Sequence, residues 1–198
     1  MKLYIIEGPD NSGKSTLADG IREFYLSQGV SSDKILVDHF GVPEGKTNEE
    51  RAKAADESYI EYVKSVKLWK KHQTYDVVIL DRAWYGEYVY GPKYRDRKPE
   101  EVGLMIRNVE DMLMATLPED DVKLVITTVD NIGFLIKNED GKSLSKADPE
   151  AVFNEVQDFV RIAEEISALK HIEVLNVNIH NSSERFVDKD ELLKKALL

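Results

Sequence analysis

Short apolar runs alternate with amphipathic stretches along the chain. The apolar runs are rich in β-branched residues and predict buried strands at 3–6, 35–37, 77–80, 124–126 and 172–177. Between them, apolar residues recur at helical spacing, which predicts helices over 14–28, 48–71, 99–115 and from Pro149 onward, with a short helix closing the chain. Asn48 is the candidate N-cap residue of the second of these helices. Strands that alternate with helices predict an α/β fold, in which a five-stranded parallel sheet is covered by helices on both faces.

One internal segment departs from this alternation. Residues 130–148 are dominated by Asn, Asp, Gly, Ser and Lys and show no periodicity, which predicts a loop. The next helix starts cleanly, with Asp148 at the N-cap position and Pro149 at the first helical position. Because the segment follows the fourth strand and contains Gly133 and Gly141 as pivots, we expect it to act as a lid.

A glycine-rich segment joins the first strand to the first helix and reads Gly8-Pro9-Asp10-Asn11-Ser12-Gly13-Lys14-Ser15-Thr16. It fits the pattern G-x-x-x-x-G-K-[ST] in the strand–loop–helix setting of a phosphate loop. Glycines let backbone N–H groups turn towards a phosphate, and the helix N-terminus adds partial positive charge. Lys14 is expected to reach the β- and γ-phosphates of ATP, and Ser15 to bind Mg²⁺. The candidate ATP-binding residues are Gly8, Asn11, Ser12, Gly13, Lys14, Ser15 and Thr16.

Composition narrows the classes of partner. The 198 residues fit one domain, and 37 acidic against 27 basic residues give a net charge of -10. Such a surface disfavours binding to nucleic acid or membranes, so positive charge for a phosphorylated substrate must be local. The chain has no cysteine, and no apolar run reaches the length of a membrane span. These features predict a protein of the reducing cytoplasm, and the phosphate loop makes small-molecule nucleotides its expected partners.

A second group of polar residues follows the third strand, which ends in Asp81-Arg82. The carboxyl ends of parallel strands meet at one edge of the sheet, so Asp81 is expected near the phosphates, where it can hold Mg²⁺. Arg82 offers a planar fork to a phosphate. Lys14, Asp81 and Arg82 are therefore the catalytic candidates, and Ser15 with Asp81 the candidate metal ligands.

Aromatic and charged residues follow this pair. Trp84, Tyr85, Tyr88 and Tyr90 are candidates either for the core or for stacking on a base. Glu87 lies three residues before Tyr90, a spacing at which the two side chains can share a face. The segment 94–98 concentrates positive charge in an acidic protein, either as a solvated loop or as a phosphate contact. Glu87, Tyr90 and Arg95 are thus candidates for lining an acceptor site.

The phosphate loop, the Asp81-Arg82 strand end and the helix after 148 together resemble the thymidylate kinase family of P-loop nucleotide kinases. The segment from Asp81 to Arg95 looks especially like the small kinases carried by bacteriophages. The resemblance implies the P-loop NTPase fold, ATP as phosphoryl donor with Mg²⁺, and a deoxynucleoside monophosphate as acceptor. It also implies that Asp10 faces the acceptor sugar and that Arg82 holds the acceptor phosphate. Relatives often form dimers, so a homodimer is one state to expect, and the location is the host cytoplasm if the chain is viral.

The sequence also departs from that family. Relatives keep a catalytic Arg in the phosphate loop or the lid, whereas here the loop has Asn11 and the lid offers only Lys137, Lys142 and Lys146. We expect one of these lysines to reach the phosphates when the lid closes. The Arg-Glu-Pro segment that relatives carry after the second strand is replaced by 38–41. The remaining acceptor-site candidates are Asp38 in that segment and Tyr59 and Tyr62 in the following helix.

Three alternatives stay open at this point. Asp38 is placed to act as the base that a deoxynucleoside kinase needs to deprotonate a hydroxyl. The block 81–85 echoes the Asp-Arg-x-Trp-Tyr of polyphosphate-driven nucleotide kinases. A nucleotide-binding switch or ATPase would share the phosphate loop, but a GTPase should show Asn-Lys-x-Asp, which 127–130 does not match.

Overall fold

The computed structural model describes residues 1–139, 141, 143–146, 148–179, 182 and 185–197. Five strands form one sheet in the order β2-β3-β1-β4-β5, and every neighbouring pair is parallel. The strands are Lys2–Glu7 (β1), Ile35–His39 (β2), Val77–Asp81 (β3), Val122–Thr128 (β4) and Ile172–Asn176 (β5). The predicted α/β fold with a five-stranded parallel sheet is therefore confirmed.

Helices cover both faces of the sheet. They are Lys14–Ser27 (α1), Asn48–His72 (α2), Gly86–Tyr94 (α3), Pro99–Met114 (α4), Gly133–Lys137 (α5), Pro149–Arg161 (α6) and Lys189–Leu197 (α7). Alternation along β1 divides the core, because successive side chains of a strand point to opposite faces. Leu3 and Ile5 pack with residues of α2, α4 and α6, whereas Tyr4 and Ile6 pack with residues of α1 and α7.

The structure corrects the predicted elements in three places. Residues 133–137 inside the predicted loop form the helix α5, because Phe134 and Leu135 are buried against Val152 and Val156 of α6. Gly133 is the first residue of this helix. The helix α3 was not predicted, since Pro92 lies inside it and obscures its pattern.

The third correction concerns the start of α2. Thr47, and not Asn48, is its N-cap residue, and Thr47 and Glu50 form a reciprocal capping box. The predicted start of α6 is confirmed, because Asp148 accepts a hydrogen bond from the backbone N–H of Ala151.

In the described residues, the helices are too short or too polar for any of them to cross a membrane.

Candidate functional site

The phosphate loop turns tightly between β1 and α1. Gly8 has a φ of 145°, and a Cβ on it would clash with Oγ1 and the carbonyl oxygen of Thr127, so only glycine fits there. Asn11 and Gly13 also adopt positive φ, of 62° and 78°. Ser12 fixes the loop by donating a hydrogen bond to the carbonyl oxygen of Pro9, at 2.7 Å. The first turn of α1 has no acidic residue, so its N–H groups present an unopposed partial positive charge to an anion.

Lys14 lies against this loop. It is 5% exposed, and its Nζ donates to the carbonyl oxygen of Pro9 at 2.7 Å. Burial, followed by the nearby charge of Arg82, lowers the pKa of Lys14 to about 8, while Asp10 and Asp81 oppose the shift. A lysine with so depressed a pKa gains from an anionic neighbour, which is what the phosphates of a nucleotide supply.

A hydroxyl and a carboxylate form a small oxygen cluster beside the loop. Ser15 Oγ donates to Asp81 Oδ2 at 2.5 Å, and His39 Nδ1 lies 3.6 Å from the same oxygen. The other carboxylate oxygen, Asp81 Oδ1, is buried and has no hydrogen-bond partner among the described residues. In the described part of the chain no three acidic or histidine side chains cluster as metal ligands.

This cluster fits Mg²⁺, which usually takes one or two protein oxygens and completes its shell with water and substrate phosphates. The buried, unpartnered oxygen of Asp81 is a free ligand position, and the Ser15 hydroxyl supplies a second oxygen. The structure thus brings together the two residues that the sequence pairs as metal ligands.

Arg82 lies on the other side of the loop. Its Nη2 donates to Asp10 Oδ1 at 2.5 Å, which joins two of the predicted acceptor-site residues. Its backbone has a φ of 74°, in the left-handed region that a non-glycine residue adopts at a cost. Arg82 lines two clefts at once. The first, the loop groove, runs along Asp10–Thr16; the second, the tyrosine cleft, lies beside Tyr59 and Tyr90.

A carboxylate that the sequence analysis did not single out lies beneath this region. Glu7, the last residue of β1, is 1% exposed and lines the tyrosine cleft. Its Oε1 accepts hydrogen bonds from the backbone N–H groups of Ala83 at 2.8 Å and Gly86 at 3.2 Å. Burial raises the pKa of Glu7 to about 7, although these hydrogen bonds and the charges of Lys14 and Arg82 oppose the shift. Its position after an apolar strand was a signal of the kind that identified Asp81.

The buried Glu7 predicts a pH-dependent stability. Because the folded state holds the proton up to about pH 7 and the unfolded state only up to about 4.5, Glu7 costs stability as pH rises through this window. Relative to Glu7→Gln, the wild-type protein should lose on the order of 3 kcal/mol between these limits. Urea unfolding of both proteins at several pH values measures this. Glu57→Gln, at an exposed position, is the control, and a wild-type–Glu7→Gln difference that does not vary with pH would contradict the assignment.

Aromatic side chains form one wall of the tyrosine cleft. Tyr59 lies 5.1 Å from Phe40, ring centre to ring centre, and the buried hydroxyl of Tyr90 has no hydrogen-bond partner among the described residues. Trp84 and Tyr85 are fully buried in the core and do not line the cleft. The cleft is lined by Glu7, Gly8, Asp10, Phe40, Gly41, Val42, Pro43, Tyr59, Arg82, Ala83, Gly86, Glu87, Tyr90, Arg95 and Leu144.

Charged residues at the end of α3 form a buried network at this cleft. Arg95 Nη2 donates to Glu87 Oε1 at 2.6 Å, and Arg97 lies 3.3 Å from the other oxygen of Glu87. Arg97 also holds Asp56 of α2 through two hydrogen bonds of 2.8 and 2.9 Å. These arginines are therefore not a solvated loop, and Arg95 reaches the cleft while Arg97 ties α3 to α2.

Two predicted acceptor residues are not brought to the cleft. Asp38 accepts a hydrogen bond from the N–H of His39. Burial, followed by the charge of Asp38, raises the pKa of Tyr62. Tyr62 packs edge-on against Phe40 and Trp69, behind the cleft wall. Neither Asp38 nor Tyr62 is among the described residues that line the cleft.

The end of the predicted lid contributes to both clefts. Asn138 and Ser143 line the loop groove, and Leu144 lines the tyrosine cleft. Lys137 ends α5, and Lys146 has a φ of 50°; neither is among the described residues lining the groove. Lys142 lies outside the described residues. That one of these lysines reaches the phosphates stays a prediction.

A third cavity, the apolar pocket, was not predicted. It adjoins the loop groove at Gly13 and Thr16, and its outer wall is Phe186, whose ring packs edge-on against Phe134 at 4.6 Å. Two of its polar side chains, Ser12 and Thr127, are hydrogen-bonded to each other. The pocket is lined by Ser12, Gly13, Thr16, Leu17, Thr127, Leu175, Val177, Phe186, Val187, Lys189 and Leu192.

No protein-family model matches the sequence, and no curated protein matches it. Solved structures are similar to it in fold. The YorR protein of Bacillus subtilis, solved in complex with phosphorylated GDP, aligns with a TM-score of 0.64 at 17% identity, over 99% of this chain and 94% of that one. Thymidylate kinase from Ehrlichia chaffeensis aligns with a TM-score of 0.56 at 16% identity, over 99% and 96%. The phosphate loop and the five-stranded sheet of this chain thus belong to a P-loop fold that it shares with thymidylate kinase.

Proposed function

We propose that the protein transfers the γ-phosphate of ATP to a deoxynucleoside monophosphate, with a dTMP-like acceptor. The observation that carries this proposal is the position of Arg82, which lines both the loop groove and the tyrosine cleft. A donor phosphate in the groove and an acceptor phosphate in the cleft would meet at one guanidinium. The fold shared with thymidylate kinase supports the same assignment.

The donor would lie along the phosphate loop. Its phosphates accept hydrogen bonds from the N–H groups of the loop and of the first turn of α1, and Lys14 neutralises their charge. The apolar pocket adjoins this groove at Gly13 and is the place for the donor base, which Phe186 would contact.

Magnesium would be held by Ser15 and Asp81, where it would offset the negative charge of the donor phosphates. Asp81 orients this site by accepting the hydrogen bond of Ser15. Lys14 and Arg82 line the same groove, so positive charge would surround the group that is transferred.

The acceptor would lie in the tyrosine cleft, with its phosphate on Arg82, its sugar beside Asp10 and its base against Phe40 and Tyr59. An oxygen of the acceptor phosphate forms the new bond to the γ-phosphorus, and the bond from that phosphorus to the β–γ bridging oxygen breaks as ADP leaves. The attacking oxygen is already ionised, so no carboxylate base is required. Asp38, the predicted base of a deoxynucleoside kinase, lies outside the cleft lining, so the structure does not support that role for Asp38.

An ADP-release assay with a panel of acceptors tests this proposal. The panel contains the four deoxynucleoside monophosphates, the corresponding nucleosides, and no acceptor, and a parallel series replaces ATP by polyphosphate. We expect transfer from ATP to at least one monophosphate, with dTMP among the best. Transfer only to nucleosides, only from polyphosphate, or steady hydrolysis without acceptor would each replace the proposal by a different activity.

Arg82→Ala should raise the KM for the acceptor monophosphate by about a hundredfold, because a charge-assisted contact to the phosphate is lost, while kcat falls less. Steady-state kinetics at saturating ATP separate the two parameters. Arg107→Ala removes an exposed arginine of α4 and serves as the matched control. An unchanged acceptor KM in Arg82→Ala would exclude Arg82 as the phosphate contact.

A further inference from the structure

Arg82 is held in a conformation that its own backbone disfavours. Its φ of 74° lies in the left-handed region, where the Cβ of any residue other than glycine comes too close to the following carbonyl oxygen. Such a residue relaxes to negative φ unless its neighbours prevent it. The direction of its guanidinium, and with it the contact to Asp10, therefore depends on what fixes the turn after β3.

In the described residues, three hydrogen bonds join this turn to the end of β1. The carbonyl oxygen of Ile6 accepts the N–H of Arg82 at 2.9 Å. Oε1 of Glu7 accepts the other two hydrogen bonds, from the backbone N–H groups of Ala83 and Gly86. One side chain thus spans the turn from the residue after Arg82 to the first residue of α3.

Burying a carboxylate at this position carries a desolvation penalty. Glu7 is 1% exposed, and the charged and titratable groups that face it are Lys14 from α1, Arg82 from the turn, Tyr59 from α2 and Tyr90 from α3. Among the described residues, none of these side chains donates a hydrogen bond to Glu7. The carboxylate of Glu7 accepts hydrogen bonds from the two backbone N–H groups of the turn. The contacts of Glu7 therefore serve the backbone that carries Arg82.

From this arrangement we infer that Glu7 is a positioning residue for the acceptor phosphate. Its two hydrogen bonds, which we call the clamp, hold residues 83–86 in place. They thereby direct the Arg82 side chain to the position where it lines both the loop groove and the tyrosine cleft. This inference rests on the proposed function, since Arg82 is the phosphate contact proposed above. Glu7 acts through Arg82 and need not touch the acceptor.

The clamp requires an acceptor oxygen at the right distance and does not require a charge. Glu7→Gln keeps such an oxygen and should keep the acceptor KM within about threefold of wild type. Glu7→Asp is one methylene shorter and cannot span both N–H groups. Glu7→Ala removes the clamp and should raise the acceptor KM about tenfold, with the KM for ATP and kcat changed less, because misplacement of a binding group acts on the ligand it binds.

The experiment is a double-mutant cycle between positions 7 and 82, with acceptor KM and kcat measured for the monophosphate that wild type phosphorylates best. If Glu7 acts through Arg82, Glu7→Ala has no further effect on acceptor KM in the Arg82→Ala background. Tyr4→Phe is the control, because it removes a hydrogen bond of the same strand, between the hydroxyls of Tyr4 and Tyr25 at 2.7 Å, on the opposite face of the sheet and away from both clefts. It should lower stability and leave the acceptor KM unchanged. Should Glu7→Ala be too unstable to assay, Glu7→Asp takes its place in the cycle.

The outcomes separate the inference from the function on which it rests. A raised acceptor KM in Glu7→Ala, rescue by Glu7→Gln and no added effect in the double variant support it. A normal acceptor KM in Glu7→Ala or Glu7→Asp overturns it, and so do effects that multiply in the double variant, which would mean that Glu7 contacts the acceptor itself. Absence of transfer to any monophosphate by wild type would refute the proposed function, and this inference with it.

Discussion

Lys14→Ala is expected to reduce phosphoryl transfer by at least about a hundredfold, since a group that neutralises the moving phosphate contributes several kcal/mol to transition-state stabilisation. The structure adds a reason to expect the loss to be catalytic. Burial depresses the pKa of Lys14 to about 8, so the folded protein gains nothing from holding this charge without an anion. The variant should therefore keep its thermal stability while it loses kcat.

The measurement is kcat at saturating ATP and acceptor, with the thermal unfolding midpoint recorded for the same preparations. Lys53→Ala removes a lysine whose side chain is 77% exposed, and it should change neither quantity. Retention of more than about a tenth of wild-type turnover by Lys14→Ala would count against phosphoryl transfer at this loop, because so small an effect is below that of a typical transition-state contact.

Asp81→Asn should lower kcat by about a hundredfold while it changes the acceptor KM only a few-fold, because the site loses a metal ligand and keeps its phosphate contact. The asparagine oxygen still accepts the hydrogen bond that Ser15 donates to Asp81 at 2.5 Å, so the local structure is preserved. What disappears is the negative charge and the buried, unpartnered oxygen. A rise in the Mg²⁺ concentration required for half-maximal activity should accompany the fall in kcat.

Titration of activity with Mg²⁺ at saturating nucleotides provides this second quantity. Asp19→Asn, at an exposed position on α1, is the matched control and should leave both kcat and the Mg²⁺ requirement unchanged. A normal Mg²⁺ requirement in Asp81→Asn would show that the ion, if used, is held elsewhere. The opposite split, with acceptor KM raised and kcat normal, would move Asp81 to the acceptor side of the site.

Patterns among neighbouring residues predicted the secondary structure and the parallel sheet of this protein. Apolar runs and helical spacing are properties of neighbouring residues, so the strands and most helices were predicted, as was the parallel sheet that they form. The phosphate loop is also local, because its residues follow one another without a gap. Asp81 was placed near Ser15 by a rule about strand ends, and the hydrogen bond between them agrees with that placement.

Only the tertiary structure shows which side chains at the strand ends face the site. Asp38 and His39 are adjacent, and the sequence favoured Asp38 as the functional group. In the structure His39 pairs in register with Asp81 and lies beside it, whereas Asp38 lies against Tyr62. Successive side chains of a strand alternate between two faces, so the choice depends on the phase of β2 in the sheet.

Contacts between distant segments decided the rest. The helix α5 has too few residues to be recognised by periodicity, and it exists because Phe134 and Leu135 pack against α6. The apolar pocket depends on Phe186, which is 173 positions from Gly13 in the chain and beside it in space. From the sequence, residues 94–98 could be described only as a cluster of positive charge. The structure shows that Arg95 and Arg97 both form ion pairs with the buried Glu87. Sequence patterns therefore determined the strands, most of the helices and the residues of the phosphate loop, because these are encoded in consecutive residues. Only the tertiary structure determined which polar groups face one another, because that depends on packing between elements far apart in the chain.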